Sequence, residues 1–374
     1  MAGSVIVFII FLSILVLVHE LGHFWVAKRA GIWVEEFGFG IPPRIFGKKI
    51  GETIYSINLL PFGGFVRLHG ESTDENVTKP KRAFLGKSIK VRSAVVIAGV
   101  VMNFVLAILA FSSVYTFTGI PETVDTGEVN VMSVVEGSPA SETSLSSGDV
   151  VKSVDGIEIS SSQEFIDIID DKKGSSVDLT VKKSTGEEEK ITLTPRVDPP
   201  QGQGPIGVAI SSSKVEYRFP PFWQRPFLGA FYGFQEAIFW GGAITGGFIQ
   251  IIGNLFAGQV PRDIAGPAGL FVITSEAQQA GIIPLINLLG IISVNLAILN
   301  IVPFPALDGG RLLFIFIEKI FGKRIVPKVE SAIHAVGLAV LVGLILLITI
   351  REVGLIRSYG FSGYIDYISS GQVQ

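Results

Sequence analysis

The chain has 374 residues, of which 48% are hydrophobic and only 17% charged, with a mean hydropathy of +0.53 and a formal net charge of -3. That charge density is below what soluble domains carry, so several membrane spans are expected around at most one small soluble domain. The slightly acidic balance, without a long basic tract, argues against a nucleic-acid partner. The absence of cysteine excludes disulfides and thiolate metal sites, so any metal must be held by His, Asp or Glu.

The apolar run Val5–Val18 has no basic leader and no small-x-small cleavage site, and reads as a retained first span. It continues directly into His19-Glu20-Leu21-Gly22-His23, an H-E-x-x-H pattern. On a helix, residues four apart share a face about 6 Å apart along the axis, so both imidazoles can reach one zinc ion. Glu20 on the adjoining face can then take a proton from water activated by the metal. His19 lies roughly 21 Å along the helix from Val5, past the midplane of a hydrocarbon core about 30 Å thick. Three ionisable groups at that depth are costly unless paired or functional.

Residues 24–92 carry 12 Lys/Arg, which marks a cytoplasmic segment. Within it, Glu52–Leu60 alternates like a strand, and Pro61-Phe-Gly-Gly-Phe-Val-Arg-Leu follows as a turn and second strand. The resulting apolar hairpin is either an ordinary cytoplasmic one or one that dips into the bilayer where protein satisfies its backbone. His69 is expected to be solvated in a polar loop. Val91–Phe117 is the second expected span.

From about Glu122 to Asp198 the composition becomes soluble. Short strands are expected at Val129–Val135, Val150–Val154, Val177–Lys182 and Lys190–Thr194, with a helix over Ser162–Lys172 that carries Phe165, Ile168 and Ile169 on one face. Residues 120–199 hold 17 acidic against 7 basic groups, as expected of a translocated domain. Phe227–Phe256 is apolar and glycine-rich but interrupted by Gln235, Glu236, Gln250 and Asn254. If it crossed, the following basic loop would fall on the outer side, so it is expected to form interfacial or re-entrant helices.

Ile282–Val302 is the third expected span, ended by Pro303 and Pro305, and Ile333–Ile350 the fourth. The connection between them is expected to be a basic loop with Arg311, Lys319, Lys323, Arg324 and Lys328. Zinc needs a third protein ligand if one position is to stay open. His334 begins the last span, where an interfacial role fits. Asp308, before Gly309-Gly310, is either a ligand or a helix-end carboxylate that meets water.

At this point the sequence resembles the site-2 protease family of intramembrane metalloproteases, in its bacterial RseP-type branch. His19–His23 resembles the helix-borne zinc motif, and Pro61–Leu68 the membrane re-entrant β element. Gly266-Pro-Ala-Gly-Leu resembles the G-P-x-G-I segment, and Asn295–Gly310 the N-x-x-P-x-P-x-L-D-G-G signature. The resemblance covers nearly the whole chain. It implies His19, His23 and Asp308 as ligands of Zn2+ and Glu20 as general base. It also implies Asn300 as a residue near the scissile peptide, with Gly63 and Gly64 in the substrate-binding β element.

Gly137–Ile159 resembles a PDZ module, with Thr143-Ser144 in place of the usual Ala-Gly. That module is expected either to bind an extended peptide beside the 162–172 helix or to act as a size filter. The fold class implied is a polytopic α-helical membrane protein of about four spanning helices, with a membrane re-entrant β-hairpin and an inserted α+β PDZ domain. Its expected segments are 1–119, carrying the zinc motif and β element; 120–212, the extracytoplasmic PDZ domain; 213–280, interfacial or re-entrant helices; and 281–374, the catalytic third and fourth spans with a tail. The implied location is a bacterial inner membrane, with the active site toward the cytoplasm and membrane-spanning proteins of the anti-sigma factor or remnant signal peptide type as substrates. Two competing readings are a non-enzymatic membrane-anchored PDZ adaptor with a structural zinc site, and a transporter. The latter is disfavoured because no inverted repeat relates the two halves.

Overall fold

The computed structural model describes residues 2–71, 77–200, 202–258, 265–322 and 327–370. Lys323 and Arg324 of the basic connection lie outside these. The chain divides into two compact units, Met1–Thr118 with Pro221–Gln374, and Gly119–Pro220.

The first unit opens with helix α1 (Ala2–Arg29), apolar on all sides and closed by Lys28 and Arg29. Strands β1 (Val34–Ile50) and β2 (Thr53–Leu68) follow. The expected hairpin of 52–60 with 61–68 does not form. Both arms of β2 pair with β1 instead, so that Phe37 stands between Val66 on one side and Tyr55 on the other. The 44–50 arm of β1 pairs with the 53–58 arm of β2, and the 64–68 arm pairs with 34–39. The partner segment 34–50 escaped the sequence reading because Gly38, Gly40 and Pro42-Pro43 interrupt its alternation. Glu36, 2% exposed, is held on this sheet by Arg44 and Arg67.

His69 departs from its expected solvation. It is buried, its Nδ1 lies 2.7 Å from Glu35 and its ring stands 4.7 Å from that of Trp33. The backbone enforces this: His69 N–H donates to the Trp33 carbonyl and the His69 carbonyl accepts from Phe84 N–H, folding 77–87 over the strand end. Helix α2 (Ile89–Thr118) then packs against α1.

The second unit has its own core. Strands β3 (Ile120–Val134), β4 (Val150–Val154), β5 (Ile157–Glu158), β6 (Val177–Lys182), β7 (Glu188–Leu193) and β8 (Val208–Arg218) form one sheet. Its order is β7-β6-β4-β3-β8, with β5 beside β4. Helix α3 (Ser162–Asp171) is capped by the Ser161 side chain, which accepts from Glu164 N–H. It buries Phe165 and Ile169 against Val131, Val151, Leu179 and Val181. Burial of each such side chain contributes about 1.5–3 kcal/mol. The Thr143-Ser144 turn closes through the Thr143 hydroxyl, which donates to Ala140 O and accepts from Leu145 N–H.

Back in the first unit, 225–256 is one continuous helix, α4 (Arg225–Phe256). It lies along the second half of α2. Cβ atoms at Gly229 and Gly233 would strike Thr116 and Ser112, and Ala237 is buried with Ala107 and Phe111. Glu236, one of the residues that interrupt the apolar run, accepts from the Tyr115 hydroxyl and the Trp240 indole, at 2.8 and 2.9 Å. Helix α5 (Pro267–Ala280) has its N-terminal amides at Gly266, Ala268 and Gly269 capped by the buried Glu352 carboxylate.

Next come α6 (Ile282–Ile301), α7 (Asp308–Phe321) and α8 (Pro327–Ser370), which turns at Gly360 with φ 72°. The expected basic loop is thus largely a helix. Ile315 of α7 is buried in the cluster with Phe24, Val95 and Phe84, and Leu312 packs partly buried against it, an apolar face that its charged residues obscured. Helices α1, α2, α6 and Val329–Gly360 of α8 are long and apolar enough to cross a membrane. Along α8, Val336, Leu338, Val340, Leu344 and Leu347 are exposed, as expected of a helix solvated by lipid.

In the second unit Asp149 is fully buried, 2.6 Å from Lys183 Nζ, and accepts from the amides of Ser146 and Ser184. Burial by itself raises its pKa, but Lys183 and these amides outweigh that and hold it below the usual aspartate value. The stabilisation is present above the unfolded aspartate range near pH 4 and is lost as pH falls through the lower folded value. Asp149→Asn is expected to destabilise a 119–220 fragment by about 1–3 kcal/mol at neutral pH and to flatten its acid transition, as read by denaturant unfolding at several pH values.

Candidate metal centre

His19 and His23 lie one turn apart on α1, and the face they share meets α2 in close contact. A Cβ on Gly22 would stand 2.3 Å from the Ala98 carbonyl oxygen. One on Gly99 would stand 2.6 Å from Cε1 of both His19 and His23. Glycine on each helix therefore lets the backbones approach and leaves a cradle that the two rings fill. His23 Nδ1 lies 2.8 Å from the Val95 carbonyl, to which it donates. That bond leaves Nε2 with its lone pair toward the centre.

The carboxylate arrives from a distant part of the chain. Pro303 and Pro305 end α6, and the turn passes through Ala306 at φ 80° before α7 begins at Asp308. Gly309 and Gly310 tuck the first turn of α7 under the end of α6. Cβ atoms there would stand 2.0 Å from Val302 O and 2.5 Å from Phe304 O. His334 holds this turn, because its Nδ1 accepts from Ala306 N–H at 3.0 Å. It thereby supports the turn that leads to Asp308.

The three groups converge. Asp308 Oδ2 lies 2.9 Å from His19 Nε2 and 3.1 Å from His23 Nε2, and the two Nε2 atoms are 3.1 Å apart. Tetrahedral zinc with bonds of about 2.0–2.1 Å sets its donor atoms roughly 3.3 Å apart. Two imidazole nitrogens and one carboxylate oxygen at these separations, one atom from each residue, fit that edge length. They leave the fourth position free.

Beside them is a cavity of about 210 Å³ lined by Glu20, His23, Asp308, Phe65, Val66 and Arg311. Arg311 pairs with Glu71 at its rim. Among the described residues Glu20 makes no hydrogen bond, so its carboxylate is available to the cavity.

Gly63 and Gly64 place the second arm of β2 against α1. Cβ atoms there would meet Val16 and Leu17 at 3.2 and 2.9 Å, one turn before the His19–Glu20 pair. Asn300 is half-buried near the end of α6 and takes no part in the three-residue cluster. The sequence alone did not single out Gly99 or the support His334 gives the Asp308 turn, and it presented Arg311 only as a charge.

Comparison with known proteins gives the family. Peptidase family M50 matches residues 7–344. The chain belongs to family M50. Among M50-like relatives, a provisionally named zinc metalloprotease of Clostridium perfringens is 36% identical, over 91% of this chain and 96% of its own length. The zinc metalloprotease RasP of Geobacillus kaustophilus is 30% identical over 94% of this chain and 97% of its own. The regulator of sigma-W protease RasP of Bacillus subtilis is 27% identical over 94% and 98%. A crystal structure of the PDZ domain of an SdrC-like protein from Listeria innocua aligns at 34% identity with TM-score 0.20, over 22% of this chain and 92% of that one.

If the cradle at Gly99 is what lets the rings converge, Gly99→Ala should leave helical content unchanged and weaken metal binding by roughly tenfold or more. Metal content after dialysis against a graded chelator series would measure this.

Proposed function

We propose that this multi-pass membrane peptidase is an intramembrane zinc metalloprotease that hydrolyses single-span membrane proteins in regulated intramembrane proteolysis. The observation that carries the proposal is Glu20, whose carboxylate lines a cavity beside three donors that leave one tetrahedral position open. A structural zinc site is closed by four ligands and needs no base, which disfavours the reading as a membrane-anchored PDZ adaptor.

His19, His23 and Asp308 hold the ion, which when bound supplies Lewis acidity toward water and the scissile carbonyl. Glu20 takes the proton of the attacking water and delivers it to the leaving amine. The 64–68 arm of β2 pairs with 34–39 on one side, and Phe65 and Val66 line the cavity. An unwound substrate segment added to its other side would place a peptide bond beside Glu20. Gly63 and Gly64 serve by letting that arm lie against α1. Asn300 is assigned to holding substrate backbone, on the family pattern alone.

Lys28, Arg29, Lys87, Lys90 and Arg92 lie at the ends of α1 and α2 near the centre, which supports a cytoplasmic location for that end. The acidic excess of 120–199 supports an extracytoplasmic position for that segment, where a PDZ module would capture a peptide or exclude bulky substrates. The bacterial relatives support a plasma-membrane location.

Purified Glu20→Gln protein is expected to keep its zinc and to cleave a membrane-spanning peptide about 10²–10⁴-fold more slowly. A chelator should stop wild-type cleavage and added zinc restore it. Undiminished turnover by the Gln variant would overturn the assignment of Glu20 as the base, and absence of zinc-dependent cleavage by the wild type would sink the proteolytic reading.

A further inference from the structure

Asn103 is fully buried on α2, one turn beyond Gly99. Its Nδ2 lies 3.4 Å from His19 Nδ1, while its Oδ1 is buried with no hydrogen-bond partner. A histidine that offers Nε2 to a metal carries its proton on Nδ1 and needs an acceptor there. An amide nitrogen cannot accept, so the pair as placed sets donor against donor and leaves a carbonyl oxygen idle. A half-turn about the last side-chain bond exchanges the amide oxygen and nitrogen with no change of shape. It turns the facing groups into a donor and its acceptor.

The other ring sets the precedent. His23 Nδ1 donates to Val95 O, and Val95, Gly99 and Asn103 fall at successive steps of four along one line of α2. The first of these holds one imidazole, the second makes room for both, and the third faces the remaining one.

We propose that Asn103 is a positioning residue for the metal centre, its side-chain oxygen accepting from His19 Nδ1–H and fixing the tautomer that presents Nε2. The inference rests on the zinc reading above. A purely structural Asn103 would tie α1 to α2 through any polar contact and would leave metal affinity unmoved.

The test is zinc affinity of the full-length protein in detergent, by competition with a chromogenic chelator, for wild type, Asn103→Leu, Asn103→Asp and Asp308→Ala. Loss of the acceptor in Asn103→Leu should weaken zinc binding about 10–100-fold with helical content intact. Asn103→Asp keeps an acceptor oxygen, cannot donate, and should bind within a few-fold of wild type. Wild-type affinity in the Leu variant would overturn the proposal. If the Leu variant fails to fold, the Asp variant decides by itself: retained affinity supports the acceptor role and a 10-fold or greater loss overturns it. Asp308→Ala separates the two readings. If it binds zinc as wild type does, the metal centre itself has been misassigned, whereas its loss of zinc beside a tight Leu variant removes the role of Asn103 alone.

Discussion

Two imidazoles and a carboxylate set inside an apolar helix bundle must satisfy one another or be driven out, and the architecture of the larger unit follows from that constraint. An unpaired ionisable group at membrane depth costs several kcal/mol. His19, His23 and Asp308 avoid the cost by sharing one centre, with their donor atoms about one zinc coordination edge apart. The remaining ring nitrogens are turned outward to α2, where Val95 O and Asn103 meet them. Polar groups are thus layered, with the three converging donors inside and the groups that meet their far sides around them, and the apolar surfaces of α1 and α8 are left to lipid.

That layering demands closer backbone contact than ordinary side chains permit, and glycine supplies it at each junction. Gly22 and Gly99 bring α1 onto α2, while Gly309 and Gly310 seat α7 under α6. Gly64 brings β2 onto α1. None of these needs an unusual backbone angle; each is small because something is pressed against it. Gly63 does both, at φ 74° and with Val16 in contact. A methyl group at any of these junctions would move one of the three converging side chains, a group packed against it or the strand beside the cavity.

The pairing of His19 with His23 was legible because a spacing of four on a helix is itself the geometry, whereas Asp308 was open between a ligand and a helix-end carboxylate on its residues and was singled out only by the family resemblance. The spans were legible through composition, and most strands of the 119–220 unit through alternation. What was hidden depended on partners far along the chain. The pairing of 52–68 with 34–50 could not be seen because Pro42-Pro43 and the glycines break the alternation of the partner. His69 looked solvated because nothing local reveals that Trp33 and Phe84 will enclose its backbone. Glu236 stood out as an interruption of the apolar 227–256 segment, and its partners Tyr115 and Trp240, which both donate to it, could not be named from the sequence. Each of these contacts depends on a partner that local pattern does not reveal.

The position of Asp308 shows how that long-range support works. It lies at the first turn of α7, and the same helix is tied down at three further levels. Arg311 pairs with Glu71 at the end of the sheet region, Ile315 is buried in the cluster with Phe24 and Val95, and Glu318 receives Arg92 from the start of α2 at 2.7 Å. Residues 308, 311, 315 and 318 recur at helical spacing, so one face of α7 meets α1, the β2 end and α2 together. The rotation of α7 about its axis is therefore set along its whole length. A carboxylate on a loop could sample many directions. On the first turn of a helix anchored in this way, with His334 bracing the strained residue before it, Asp308 has little freedom except to face the two histidines.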